Sequence, residues 1–108
     1  MSSQPETSPN ERTEPRLDPG RIVATQAALD ALDESQQSPL EFLGRHLRGD
    51  WGNVCPADAR SNDESLGSGA RLISVYETRN GTRLWIITDA EDERGERRCT
   101  TILLPHEY

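Results

Sequence analysis

Ala70-Arg71-Leu72-Ile73-Ser74-Val75-Tyr76-Glu77-Thr78-Arg79-Asn80-Gly81-Thr82-Arg83-Leu84-Trp85-Ile86-Ile87-Thr88 is the stretch whose reading decides the fold. It is rich in β-branched and aromatic residues, and Asn80-Gly81 interrupts it in the middle. An Asn-Gly pair between two such runs is the strongest short hairpin signal, because a type I′ turn needs positive φ at both central residues. Strands are therefore predicted over 70–78 and 83–88. With Asn80 and Gly81 alone in the loop, Arg79 faces Thr82, Tyr76 faces Trp85, Val75 faces Ile86 and Ile73 faces Thr88. One sheet face then carries Ile73, Val75, Leu84 and Ile86. The other carries Leu72, Ser74, Tyr76, Arg83, Trp85 and Ile87. The aliphatic face is expected against the helices, and the mixed face is the natural place for a ligand.

Downstream, a charged loop over 89–97 leads to a third strand over 98–104, which Pro105 ends. Short loops between consecutive strands predict an antiparallel meander. Upstream, the period changes from two to that of a helix near Gly69. Thr25 can cap a helix carrying Ala28, Leu29, Ala31 and Leu32 through Glu34. Ser38-Pro39-Leu40-Glu41 has the form of a capping box with Pro at the first helical position. It opens a second helix with a Leu40, Leu43, Leu47 stripe, Phe42 and His46 beside it, and Gly49 as its stop. Asp50-Trp51-Gly52-Asn53-Val54 reads as a loop. Pro56 starts a weaker, acidic third helix to about Leu66, broken at Gly67-Ser68-Gly69. The expected fold class is α+β, with two or three N-terminal helices packed on a three-stranded antiparallel meander.

Residues 1–20 hold Pro5, Pro9, Pro15 and Pro19 and almost nothing apolar except Leu17. They cannot bury enough surface to offset their ordering entropy, so a disordered tail is expected, followed by one small domain over 21–108. The 108 residues are 32% hydrophobic, with 12 basic against 19 acidic side chains, a net charge of −7. All twelve basic residues are Arg, as the codon bias of a GC-rich genome would give. Broad electrostatic binding of nucleic acid needs a positive footprint that this charge balance does not supply. No apolar run approaches a membrane span, and the start lacks the apolar core of a secretory leader. A cytoplasmic protein is expected, with a protein partner, no membrane and no cofactor.

His46, Cys55, Cys99 and His106 lack the spacings of structural zinc sites, so no metal is expected. No nucleophile elbow or P-loop is present. General acid–base cleavage of RNA needs less: a base, an acid and a cation for the phosphate. On the hairpin register above, His46, Tyr76 and Arg83 are the catalytic candidates. Trp51, Ser74, Trp85 and Thr101 are the candidates for binding. Trp51, in its loop, is read as a half-exposed interface anchor, and Trp85 as a platform for a base.

Arg71 to Tyr76, Leu84 to Thr88 and Thr100 to Tyr108, with Arg45-His46-Leu47 and Gly49-Asp50-Trp51-Gly52, resemble a family of small bacterial proteins of plasmids and integrated elements. The likeness covers about residues 21–108. It implies a mobile-element setting and no particular activity. Arg71, Ser74, Tyr76, Trp85 and Thr88 or Thr101 are also similar to strand motifs of the barnase, EndoU, colicin and RelE-like ribonuclease superfamily. That second likeness implies an RNA-cleaving or RNA-binding domain, with RNA as the alternative partner. The leading expectation is an accessory protein that works through protein contacts.

Overall fold

The computed structural model describes residues 15–108. Its elements are β1 (Arg21–Ala24), α1 (Gln26–Glu34), α2 (Pro39–Leu47), α3 (Pro56–Ser68), β2 (Leu72–Glu77), β3 (Arg83–Thr88) and β4 (Cys99–Leu103), with a closing 3-10 turn (Pro105–Glu107). The class is α+β, as the change of period implied. The sheet is larger than expected. It has four strands in the order β1-β4-β3-β2, and β1 pairs with β4 in parallel. The antiparallel meander is thus a part of a mixed sheet, and a strand precedes the helices. Most of the expected tail, residues 1–14, lies outside the described residues. Pro15–Gly20 is placed against the fold: Arg16 N–H donates to the Leu47 carbonyl at 2.6 Å, and the Pro19 carbonyl accepts from Thr100 Oγ1 at 2.8 Å.

Local chemistry explains each helix. Thr25 accepts from Ala28 N–H at 3.1 Å and fixes the start of α1. The end of α1 is a Schellman motif, with Gln36 N–H on the Asp33 carbonyl and Gln37 N–H on the Leu32 carbonyl. Gln36 takes the left-handed position there, at φ 59°. Ser38 caps α2 at Leu40 N–H. The buried side of α2 is Phe42, Leu43 and His46, while Leu40 is 72% exposed, so the helix is rotated away from the all-leucine stripe. The chain leaves α3 through Gly69 in the left-handed conformation.

The hairpin register corrects the sequence reading by one residue. Glu77 faces Arg83, Tyr76 faces Leu84, Val75 faces Trp85 and Leu72 faces Thr88. Thr78 N–H donates to the Thr82 carbonyl, and Gly81 N–H to the Thr78 carbonyl, both at 2.8 Å. The loop therefore has three residues, Arg79-Asn80-Gly81, and only Gly81 has positive φ, at 85°. This is a type I turn closed by a glycine in the left-handed region, the next commonest hairpin loop. A one-residue slip moves pairs to opposite faces. The face toward the helices is Leu72, Ser74, Tyr76, Leu84, Ile86 and Thr88, all buried. Ala28 and Leu32 of α1 and Phe42 of α2 pack there with Tyr76, Leu84, Ile86 and Ile102. The outer face holds Ile73, Val75, Arg83, Trp85 and Ile87.

The outer edge of β2 is closed. Asn62 of α3 donates to the Ile73 carbonyl at 2.7 Å and accepts Ile73 N–H at 3.2 Å, so its amide acts as a short piece of strand. The next outward groups belong to Val75, which bonds the Trp51 carbonyl and Asn53 N–H. Gly52 bridges Val75 at φ 76°, and a Cβ there would lie 2.1 Å from the Val75 carbonyl oxygen. Gly81 has nothing within 4 Å of the same ideal position. Gly81→Ala should cost about 1 kcal/mol, the strain of the left-handed conformation alone. Gly52→Ala should cost at least about 3 kcal/mol, because the loop must also leave the strand. Urea unfolding of the two variants measures the difference.

Candidate functional site

The polar residues singled out in the sequence divide between the two sheet faces. His46, Ser74 and Tyr76 come together on the helix side. Arg83, Trp85 and Thr101 lie on the opposite side, and Thr101 pairs with Ile87. The expected single face carrying Ser74, Tyr76, Arg83 and Trp85 does not exist, for the register reason given above. Trp51 is also placed differently from its reading as a half-exposed anchor. It is 5% exposed, gives its indole N–H to Asp63 at 3.0 Å, and meets the His46 ring edge-on at 5.7 Å.

His46 sits at the centre of a buried chain of hydrogen bonds. Its Nδ1 is 2.6 Å from Ser74 Oγ and its Nε2 is 2.8 Å from Thr88 Oγ1. Thr88 Oγ1 is 2.7 Å from Thr100 Oγ1, which lies 2.8 Å from the Pro19 carbonyl. Counting protons fixes every direction. A hydroxyl has one proton and a carbonyl none. Thr100 must donate to Pro19, so it accepts from Thr88. Thr88 has then used its proton and accepts from His46 Nε2–H. The neutral ring is left with a lone pair on Nδ1, which takes the Ser74 hydroxyl proton. His46, Ser74, Thr88 and Thr100 all have 0% exposure.

A serine 2.6 Å from an imidazole has the spacing of a nucleophile and its base. Two features separate this pair from a hydrolytic one. No substrate carbonyl reaches a serine with no exposed surface. The group that orients the far nitrogen is a threonine, which carries no charge to stabilise an imidazolium. Burial, helped by the positive Arg97 nearby, pushes the His46 pKa down to about 4. The ring is a weak base held neutral by its surroundings.

Tyr76 is similarly engaged. Its hydroxyl donates to the Asp50 carbonyl at 2.6 Å, its ring packs on Phe42 at 5.5 Å, and burial pushes its pKa up to about 12. Arg45 stacks over that ring at 4.7 Å and pairs with Asp50 at 2.8 Å. The guanidinium in turn holds the Asp50 carboxyl below the usual carboxylate range. Arg97 ends the charged 89–97 segment, where nothing local marks it as a buried residue. It is 8% exposed and donates to the carbonyls of Ser65, Ala70 and Asp89, tying the end of α3 to the loop before β4. Among the described residues no three His, Cys, Asp or Glu side chains cluster as a metal site, and Cys55 and Cys99 are free thiols.

The outer face is more open. A groove of about 460 Å³ lies between α3 and the sheet, with Val54, Ile73, Val75 and Trp85 as its apolar wall and Asp58 and Arg71 at its rim. Tyr108 leans on Trp85 at 5.4 Å and accepts a hydrogen bond from Arg71. No protein-family model, curated protein or solved structure matches the chain.

The depressed pKa of His46 has a consequence for stability. The unfolded histidine takes a proton near pH 6.5 and the folded one near 4. Between those values the unfolded state binds more protons, so stability falls as the pH falls. The loss should reach about 3 kcal/mol at pH 4. In His46→Gln, denaturant midpoints should be lower at neutral pH and nearly flat across this window. A wild-type protein equally stable at pH 6.5 and 4.5 would contradict the assignment.

Proposed function

We propose that the protein is a non-enzymatic accessory module that docks a protein partner. The mobile-element setting and the cytoplasmic location come from the sequence resemblance and composition. The observation that carries the reading is the internal use of the acid–base groups. His46 and Tyr76 have their polar atoms paired inside the fold, on the far side of the sheet from Arg83 and Trp85. A cleaving site needs these groups around one phosphate.

The groove beside Trp85 supports docking. It offers an apolar wall for one inserted side chain, with the carboxylate of Asp58 of α3 at its rim. A basic segment bearing an apolar anchor is the partner that suits this surface and the net charge of −7. Trp85 reports on it, because the other indole, Trp51, is buried. Affinity capture with the wild type and with Val75→Glu, which puts a charge in the groove, tests the reading. A partner recovered by the wild type and lost with the variant is expected. In parallel, total RNA should survive incubation with the purified protein at low salt. RNA cleavage that Arg83→Ala abolishes would overturn the proposal and favour the ribonuclease alternative.

A further inference from the structure

The two sheet edges are treated differently. At β2 the outward groups of Ile73 and Val75 are paired by Asn62, Trp51 and Asn53. At β1 nothing comparable occurs among the described residues. Arg21 N–H and Thr25 N–H donate inward, to the Arg98 and Ile102 carbonyls of the β4 side. In a parallel ladder alternate residues point the other way, so the N–H and C=O groups of Ile22 and Ala24 face outward. The side chains here are apolar and exposed, Ile22 by 47% and Val23 by 37%. Open edges of this kind are templates for a further strand, and natural proteins usually blunt them with charge, Pro or a cover.

We infer that β1 is a self-association edge, and that a second copy of this chain pairs with it antiparallel about a twofold axis at Val23. This goes beyond the groove reading and does not depend on it. The register follows from the strand's own limits. Centring on Ile22 would bring in Gly20, whose φ of 66° is not extended. Centring on Ala24 would bring in Gln26, which is already helical. Centring on Val23 sets Ile22 opposite Ala24 of the second copy, so that the outward groups of both exchange both hydrogen bonds, and the symmetry repeats this. Val23 then meets Val23 of the second copy as a close non-hydrogen-bonded pair.

Charge selects the antiparallel arrangement. Arg21 stands at one end of β1. At the other end Thr25 Oγ1 donates to Glu107 Oε1 at 2.7 Å, the atom that also takes Leu104 N–H, and Glu107 Oε2 has no partner among the described residues. Antiparallel pairing brings Arg21 of each copy to Thr25 and Glu107 of the other. Parallel pairing would set Arg21 against Arg21. The product is a continuous sheet twice as wide, with the β2 edges, already closed, at its two ends.

A four-residue edge makes a small interface, and a dissociation constant on the order of 10 µM is expected. Sedimentation velocity of the full chain at roughly 100 µM should show twice the chain mass. Ile22→Pro removes an outward donor that the chain's own ladder does not use, and should leave a folded monomer. Register is read by cross-linking in a Cys55→Ser, Cys99→Ser background. Val23→Cys should form an intermolecular disulfide, since symmetric non-hydrogen-bonded pairs have a suitable Cα spacing. Ile22→Cys, which faces Ala24, should not. A wild-type monomer at that concentration, a dimer that survives Ile22→Pro, or cross-linking through Ile22→Cys but not Val23→Cys would each overturn the inference.

Discussion

A neutral histidine with no route to water organises this fold. Burying an imidazole leaves two nitrogens that must each find a partner, and burying a charged one would cost far more. His46 meets the requirement with Ser74 from β2 and Thr88 from β3, and Thr88 passes the demand to Thr100 of β4. Thr100 hands its proton to the carbonyl of Pro19, ahead of β1. One ring on α2 thus fixes three strands and the segment before the fourth. A chain with one donor direction at each step tolerates no slip, because a displaced strand would leave a buried hydroxyl unpaired.

The rest of the architecture grows from that centre. Trp51 lies edge-on to the same ring and gives its N–H to α3, so the loop after α2 is drawn to the sheet. Gly52 lets that loop approach the β2 backbone at Val75, and Asn62 of α3 closes the same edge two residues away at Ile73. Arg97 then fastens the far end of α3 through three carbonyls. Polar groups that a sequence presents as chemistry are here the framework of a small domain with few large apolar residues. Function is proposed on two surfaces outside this framework, the Trp85 groove and the β1 edge.

Much of this was legible in the sequence because it is local. Thr25, Ser38-Pro39 and Gly69 mark helix ends through bonds to residues a few positions away, and the strands β2, β3 and β4 declare themselves by composition. β1 was missed because four residues beside a helix cap carry little pattern, and its partner β4 lies far along the chain. The face assignment failed at one residue. Asn80-Gly81 fits a two-residue loop and the end of a three-residue loop equally well, and only the cross-strand pairing of Thr78 with Thr82 separates them. That single step moved Ser74 and Tyr76 away from Arg83 and Trp85. Trp51 and Arg97 had no local signal at all, since their burial depends on α3 reaching the edge of the sheet.

The fold requires His46 to be a neutral ring protonated at Nε2 and closed to solvent. Long-range nitrogen–proton correlation spectra of the labelled protein read this directly. A bare Nδ1, a protonated Nε2 that exchanges slowly, and shifts that stay constant from pH 8 until titration near the value of about 4 are the predicted result. A ring that titrates near pH 6.5 with rapidly exchanging protons, or one protonated at Nδ1, would contradict it.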